Sequence, residues 1–253
     1  MEQFWKDNHF SVRWKEIPEP ARWRGEWKAF CRSPHNTALR YLFVMHHKSD
    51  DGGLGNLEVP ARLTYLELLS SNARKIGALP VGLRRLELHR CVKLETARGL
   101  ASSCPELRYL HVSTSRKFHD LPELLKLQQL EVLCLNACGD LPDLKFLAEF
   151  PHLRDFRFVD TNVIDGDLSP LLRLPKLEYV GTLDNKHYSH SAAEIKAVIA
   201  ARPKSRRLRR TLIWLSESRD KTPTALEGRP MRYPFVTPAT PAPPRRGRRS
   251  DGG

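Results

Sequence analysis

Four side chains in the middle of the chain are of the types from which proteins build metal sites and nucleophiles. Glu87, His89 and His111 offer one carboxylate and two imidazoles, a donor set that suits zinc. Cys134 offers a thiol, and His111 is its candidate general base. The sequence supplies no further metal ligand at a recognised spacing, so the metal site is incomplete. It also supplies no residue to orient the base, so the nucleophile is incomplete. We therefore expect no metal site, no cofactor and no catalytic residue.

Motifs and composition exclude several other classes of protein. The sequence contains no P-loop, no G-x-G-x-x-G, no G-x-S-x-G and no H-E-x-x-H. Mean hydropathy is −0.48, and no apolar run approaches the ~20 residues that cross a bilayer. The first residues lack the apolar stretch of a secretory signal, and the five cysteines have no paired spacing. We expect a cytoplasmic protein with reduced thiols that has no contact with a membrane.

The elements that must position these side chains follow from a repeated frame, L-x-x-L-x-L, at steps of 24, 20, 24, 23, 23 and 24 residues. A fixed period of this size is typical of a solenoid, in which each unit covers the apolar face of its neighbour. The alternating leucines of each copy predict a strand with its leucines turned toward the core. The seven copies are Leu39-Leu42-Val44, Leu63-Leu66-Leu68, Leu83-Leu86-Leu88, Leu107-Leu110-Val112, Leu130-Leu133-Leu135, Leu153-Phe156-Phe158 and Leu177-Val180-Thr182.

Two further patterns predict how each repeat continues after its strand. Eight residues after the first leucine stands a short polar or weakly polar residue, which can satisfy the buried backbone groups of the turn. These residues are His47, Ser71, Cys91, Ser115, Cys138, Thr161 and Asn185. Apolar residues at spacings of three and four then predict short helical or 3₁₀ segments on the outer face. They are Leu94, Phe118, Leu121, Leu141, Leu144, Leu147, Ile164, Leu168 and Leu171.

The repeat array, residues 39–190, needs a cap at its N-terminal end, because the end of a solenoid exposes apolar core. Residues 1–38 hold four of the five tryptophans, and we interpret them as this cap. The alternation over residues 10–14 predicts a strand, and the aromatic spacing over residues 23–30 predicts a helix.

A second cap is predicted after the last repeat, over residues 191–215. Ser191 and Glu194 form a capping-box pattern that opens a helix. Its predicted apolar side consists of Ile195, Val198 and Ile199. Residues 216–253 contain seven prolines and few large apolar residues, a composition that predicts a disordered tail rich in Pro and Arg.

The residues between the strand leucines point away from the core and stack in columns across the sheet. Tyrosine occupies the third frame position in four of the seven copies. Tyrosine is a good strand residue, but Tyr and Arg also dominate the anchors of protein interfaces. We favour an interface, because the fold needs no aromatic residues on this face. The predicted protein-binding residues are Tyr41, Phe43, Tyr65, Glu67, Arg85, Glu87, His89, Tyr109, His111, Asn136, Asp155, Arg157 and Tyr179.

The full frame, L-x-x-L-x-L-x-x-C/S/T/N-x-x-L over residues 39–190, resembles the leucine-rich repeat family. Residues 79–83 look like the L-P-x-x-L entry of short bacterial repeats, and Cys91-x-x-Leu94 looks like a cysteine-bearing variant. The resemblance implies an α/β solenoid of about seven repeats with a parallel sheet on its concave face. It also implies a protein partner bound on that face, without identifying the partner.

The distribution of charge supports an alternative function. Residues 196–253 carry 15 Lys and Arg against 4 Asp and Glu, whereas residues 1–195 carry 27 against 25. The basic residues of such a segment either keep a tail solvated or contact phosphates. The candidate nucleic-acid-binding residues are Arg206, Arg207, Arg209, Arg210, Arg245, Arg246, Arg248 and Arg249.

Taken together, the sequence predicts a monomeric, non-catalytic module that binds another protein on its concave face, with nucleic-acid association through the basic segment as the alternative. A more specific role, as an inhibitor, immunity or adaptor protein, follows only by analogy with the family.

Overall fold

A computed structural model describes residues 14–33, 37–54 and 57–202. Its strands form one open sheet in which every neighbouring pair is parallel and the order follows the sequence. The eight strands of this described part are β1 (Arg22–Glu26), β2 (Tyr41–His47), β3 (Tyr65–Ser71), β4 (Arg85–His89), β5 (Tyr109–Ser115), β6 (Val132–Cys138), β7 (Asp155–Arg157) and β8 (Tyr179–Gly181).

The register of the sheet places the same frame position of each repeat side by side, which confirms the predicted repeats. The second leucine of the frame forms one unbroken row, in which every member is at most 2% exposed. This row is Leu42, Leu66, Leu86, Leu110, Leu133, Phe156 and Val180. Seven of the strands are therefore the predicted ones, and the core is the leucine layer behind them.

The segments that return from one strand to the next hold the short helices, as predicted. Those between strands are α1 (Trp27–Phe30), α2 (Leu100–Ser103), α3 (Leu121–Leu124) and α4 (Ser169–Arg173), with a 3₁₀ turn at Lys145–Glu149. Two further 3₁₀ turns, Trp14–Glu16 and Glu19–Ala21, precede β1, and α5 (Ala192–Ala200) follows β8. Most of the predicted outer residues are buried, but Ile164 is 60% exposed and its neighbour Val163 fills the core instead. None of the described helices is long and apolar enough to cross a membrane.

We call the short polar or weakly polar residue eight positions after the first leucine of each repeat the closing residue. The residue just before it lies in the left-handed region in six of the seven repeats, a feature that the sequence analysis did not predict. Its φ is between 49° and 68° in six successive repeats, at His46, Ser70, Arg90, Thr114, Ala137 and Asp160. This conformation turns the chain out of the strand and buries the next side chain. Two closing residues hydrogen-bond to backbone groups as predicted: the Ser71 hydroxyl accepts from the Ala73 amide at 3.1 Å, and the Thr161 hydroxyl donates to the Leu135 carbonyl at 2.6 Å. His47 instead contacts another side chain, the Ser71 hydroxyl, at 2.8 Å.

The last closing position departs from the prediction. Asn185 is exposed, and its role passes to Tyr188 from further along the chain. The Tyr188 hydroxyl accepts from the Val163 amide at 3.3 Å and donates to the Thr161 carbonyl at 3.5 Å. A longer side chain reaches the interior here because the backbone has already left the repeat.

The described part of the predicted N-terminal cap contains a strand and a helix, but in different places from those predicted. Trp14 begins a 3₁₀ turn and not a strand, and residues 1–13 lie outside the described part. Trp23 lies in β1 and not in a helix, since Arg22–Glu26 pairs with β2 along its whole length. The helix is only α1, and Trp23 packs on Phe30 with ring centroids 5.0 Å apart. The backbone pairing of β1 with β2 decides the conformation of this segment, although its aromatic residues have helical spacing.

At the other end, α5 begins with the predicted capping box. The Ser191 hydroxyl accepts from the Glu194 amide, and the Glu194 carboxylate accepts from the Ser191 amide. Ile195 is buried, but Val198 is 44% exposed, so its predicted place on the packed side is wrong. The rest of the predicted second cap after Arg202, the predicted tail and all eight candidate arginines lie outside the described residues.

Leu110 tests whether the repeats fold as one cooperative unit. It lies in the middle of the second-leucine row and is 0% exposed. We expect Leu110→Asp to cost about 4 kcal/mol or more, because it places an uncompensated charge in the core. Circular dichroism should show loss of the whole thermal transition, whereas Leu110→Met should keep it. A wild-type transition in Leu110→Asp would contradict the repeat register.

Thr114 tests the left-handed residue at the end of each strand. It is β-branched, exposed and held at φ 53°. Because this region costs an ordinary residue about 1–2 kcal/mol and Asn tolerates it better, we expect Thr114→Asn to stabilise the protein by about 0.5–1 kcal/mol. Urea unfolding measures the change. Thr182→Asn, at a position without positive φ, is the control, and an equal gain there would refute the explanation.

Candidate functional site

The predicted binding residues lie on the sheet face opposite the leucine core. We call it the tyrosine face, because it carries Tyr41, Tyr65, Tyr109 and Tyr179. The register forms the third-position column Tyr41, Tyr65, Arg85, Tyr109, Val132, Asp155 and Tyr179. The fifth-position column is Phe43, Glu67, Glu87, His111, Cys134, Arg157 and Gly181. Strand pairing thus brings the predicted residues together as expected.

Near β2 and β3, this face is packed and not open. Tyr41 and Tyr65 stack with ring centroids 5.6 Å apart and are 2% and 4% exposed. Ile17, which is also buried, joins them in one apolar cluster. Trp14 meets the Tyr65 ring edge-on at 6.3 Å. In this structure these two tyrosines are packing residues, and their rings are not available as surface anchors.

The centre of the face is a group of charged side chains around Glu87. Arg85 holds one carboxylate oxygen, Oε1, with Nε at 2.7 Å and Nη2 at 2.6 Å. The other oxygen, Oε2, faces His89 Nε2 at 3.2 Å and His111 Nδ1 at 3.6 Å. The Tyr65 hydroxyl donates to Glu67 and lies 3.2 Å from Glu87 Oε1. We call Glu67, Arg85, Glu87, His89 and His111 the Glu87 cluster.

Neighbouring polar groups fix the orientation of the two imidazoles. The Asn136 carbonyl oxygen accepts from the Val159 amide at 3.0 Å, so its Nδ2 group faces His111 Nε2 at 3.3 Å and donates to it. His111 Nδ1 therefore carries the proton and points it at Glu87. The other nitrogen of His89, Nδ1, lies 2.7 Å from the Ser113 hydroxyl. The sequence analysis did not include Ser113 among the site residues. The register of the sheet places Ser113 between His89 and Asn136 on neighbouring strands.

Burial and these contacts shift the protonation of the cluster. Burial opposes ionisation of Glu87, but hydrogen bonds from His111 and His89 and the charge of Arg85 outweigh it and hold its pKa well below the ordinary value. Burial and the nearby Glu87 charge raise the pKa of Glu67. Burial lowers the pKa of His111, against the opposing hydrogen bond to Glu87. An ionised Glu87 beside a neutral His111 is thus the favoured state near neutral pH.

Beyond the cluster, a second packed group closes the face at β5 and β6. The Arg85 guanidinium lies 3.7 Å from the centroid of the Tyr109 ring. Tyr109, Val132 and Cys134 form an apolar cluster, in which Cys134 is 0% exposed. Burial raises the pKa of Cys134 to about 12. The thiol therefore stays protonated and enclosed near neutral pH, which gives a nucleophilic role no support.

The face becomes accessible at β7 and β8. Asp155 binds Arg157 through both of its carboxylate oxygens, at 2.9 and 2.6 Å. The Arg157 guanidinium lies 4.7 Å from the centroid of the Tyr179 ring, and Tyr179 is 41% exposed. Gly181 makes room for this arrangement, since a Cβ there would lie 3.0 Å from Arg157 Cγ. We call Asp155, Arg157 and Tyr179 the open end of the tyrosine face.

The predicted binding residues thus divide into two groups. Those buried in the face are Tyr41, Phe43, Tyr65, Arg85, Glu87, His89 and Tyr109. Those at least partly accessible are Glu67, His111, Asn136, Asp155, Arg157 and Tyr179. Alternation along a strand indicates which side chains leave the core, but it does not indicate whether other side chains cover them.

A small cleft beside the strand ends was also missed by the sequence analysis. Arg116 spans from the end of β5 to Asp160, with Nη2 2.6 Å from the carboxylate. The cleft is lined further by Thr182, Leu183 and Tyr188, and Leu183 is 60% exposed. Residues of different repeats meet here because the chain turns out of each strand at the left-handed position.

Glu87→Gln tests the charge balance of the cluster. The substitution keeps the size of the side chain but removes the carboxylate charge that the buried Arg85 guanidinium holds through two of its nitrogens. We expect a loss of about 3–5 kcal/mol in the free energy of unfolding, measured with urea at neutral pH. Glu106→Gln, at an exposed glutamate, is the matched control and should change little. Equal stability of the two variants would contradict the assigned role.

The same cluster predicts destabilisation by acid. The pKa of His111 is below its ordinary 6.5 and that of Glu87 below its ordinary 4.5. The unfolded chain therefore binds more protons, and stability falls first below about pH 6.5 and again below about pH 4.5. Glu67, with a raised pKa, offsets part of the second loss. Below about pH 4.5, urea unfolding should show a shallower acid limb in Glu87→Gln than in wild type, because the variant lacks the group whose pKa is lowered, and parallel curves in this range would contradict the assignment.

No protein-family model matches the chain, and no curated protein matches its sequence. Among solved structures, the chain is similar to an internalin, inlF, of Listeria monocytogenes, with 20% sequence identity and a TM-score of 0.42 over 60% of this chain. The matched region spans 58% of the length of that internalin. A likeness of this size says nothing about shared function. The parallel repeat fold is established by the strand order and register of the chain itself.

Proposed function

We propose that this chain is a non-catalytic, cytoplasmic module that binds another protein at the open end of its tyrosine face. The observation that carries the proposal is the accessible ring of Tyr179, with the Arg157 guanidinium 4.7 Å from its centroid. Tyr and Arg are enriched among the residues that contribute most to protein–protein affinity. Here both are presented side by side on neighbouring strands of a rigid sheet.

The contacts of these two residues suit a partner surface that is mixed in character. Asp155 offsets the charge of Arg157 without covering the guanidinium, whose side chain remains 37% exposed. Tyr179 contributes a large apolar ring with a polar tip, and such rings add contact area at a low cost in side-chain ordering. The bidentate pair and the stacked ring hold both side chains before any partner arrives, which reduces the entropy lost on binding.

The packed part of the face has a supporting role in this proposal. Tyr41, Tyr65 and Tyr109 are each at most 8% exposed. We assign them, with the Glu87 cluster, to fixing the strands on which the open end lies. The partly accessible Glu67, His111 and Asn136 extend the surface toward the middle of the sheet. A binding module of this kind suits an inhibitor, immunity or adaptor role, which we propose by fold analogy.

The charge distribution supports one other candidate function. The excess of 15 basic over 4 acidic residues in 196–253 favours an anionic partner such as nucleic acid. The two functions differ in salt dependence, because phosphate contacts release counterions and apolar-ring contacts do not. Binding that falls steeply with added salt and disappears when Arg245, Arg246, Arg248 and Arg249 are replaced would favour nucleic acid.

Tyr179 and Arg157 provide the direct test. A protein recovered by affinity purification with the full chain would be bound to purified wild type and variants in calorimetry. We expect Tyr179→Ala with Arg157→Ala to weaken binding by about 2 kcal/mol, or about 30-fold, with a nearly unchanged melting temperature.

The control is Ile164→Ala, which removes an even more exposed apolar side chain from an outer segment. It should bind like wild type. If Ile164→Ala weakens binding and the Tyr179 and Arg157 variant does not, the partner binds the outer face and the proposal is wrong.

A further inference from the structure

We propose that Glu87, His89 and His111 bind one divalent transition-metal ion of the zinc class, contrary to the expectation from sequence spacing. One ligand atom from each residue lies within 4.8 Å of the other two. The three residues come from adjacent strands, Glu87 and His89 from β4 and His111 from β5. Sequence spacing could not reveal this group, because strand pairing and not chain proximity brings His111 to Glu87.

The two carboxylate oxygens of Glu87 contact different partners. Arg85 occupies Oε1, whereas Oε2 is the oxygen that faces both imidazoles. A metal ion can therefore bind Oε2 without breaking the bonds to Arg85. In a tetrahedral zinc site with bonds of about 2.0–2.1 Å, ligand atoms lie about 3.3–3.4 Å apart. The separations of Glu87 Oε2 from His89 Nε2 and His111 Nδ1, 3.2 and 3.6 Å, are close to this distance.

Groups around the three ligands provide the orientation that metal sites require. The Ser113 hydroxyl, 2.7 Å from His89 Nδ1, can accept the proton of that nitrogen and leave Nε2 for the metal. A further carboxylate is close, with Glu67 Oε1 3.8 Å from His89 Nε2. The Tyr65 hydroxyl contacts both Glu67 and Glu87 and holds the two carboxylates near each other.

The charge of the cluster also favours a cation. Glu67 and Glu87 can contribute two negative charges, and Arg85 contributes one positive charge. The two ionised carboxylates then exceed the guanidinium by one negative charge on a largely buried face, which is unfavourable. A divalent ion converts this excess to +1 and relieves the repulsion between the two carboxylates. Imidazole and carboxylate ligands together suit zinc and its neighbours among the transition metals.

One contact opposes metal binding and makes the proposal testable. Asn136 donates to His111 Nε2, which leaves the proton on Nδ1, the nitrogen that faces Glu87. A metal on Nδ1 requires the proton on Nε2 instead, and the Asn136 amide must then turn away from the Val159 amide. Asn136→Asp removes this conflict, because a carboxylate accepts from both groups.

The experiment uses the full chain without a histidine tag, freed of metal by chelation and titrated with zinc chloride in a calorimeter. We expect one zinc ion per chain, and cobalt(II) should give the intense visible absorption of a four-coordinate site. His111→Gln should weaken zinc binding at least about 100-fold, since even the loss of an outer contact costs 10–100-fold. Asn136→Asp should tighten binding about tenfold.

His119→Gln is the matched control, because His119 is exposed and its Nδ1 contacts a backbone carbonyl. It should bind zinc like wild type. Circular dichroism of each variant without metal checks folding, and a gain in Asn136→Asp cannot arise from a folding defect. Zinc binding that is equal in wild type and His111→Gln, or that is not tightened by Asn136→Asp, would overturn the assignment.

Discussion

Each strand of this sheet covers its inward leucines with those of its neighbours, and no repeat can bury them alone. Leu86 and Leu110 are register partners and are both 0% exposed. A slip by one residue would turn the leucines outward and bring the charged side chains into the core, so the register is strongly determined. Every column of the tyrosine face depends on this register. The outward side chains form columns only when the inward leucines of neighbouring strands are aligned.

In the Glu87 cluster, the alignment of the strands buries charged side chains, and this burial costs free energy. The register sets Glu67 beside Glu87, and Glu87 beside His111, on one face. Burying them is tolerable because Arg85, the two imidazoles and the Tyr65 hydroxyl supply partners for the carboxylates. A buried ion pair adds little net stability over apolar packing. Stability alone therefore does not account for so many polar groups in one buried place, and metal binding is the use that we propose for them.

The strands and their leucine core were predictable from the sequence, whereas the tyrosine face was predictable only in part. The period and the alternation of leucines predicted the strands β2 to β8 and their register, since both depend on local spacing. Trp23 was misassigned because the spacing of Trp23, Trp27 and Phe30 is helical, while pairing with β2 decides the conformation. Packing over Tyr41 and Tyr65 was not predictable either, because Ile17 reaches them through a tertiary contact with no periodic signal.

The tyrosine face has a packed part and an accessible end, and hydroxyl-radical footprinting of the full native chain tests this division most directly. Tyr179 is 41% exposed, whereas Tyr41, Tyr65 and Tyr109 are at most 8% exposed. We predict rapid modification of Tyr179 and strong protection of the other three rings, which should become equally reactive after unfolding in urea. Modification of Tyr65 or Tyr109 as fast as Tyr179 in the native protein would contradict the account.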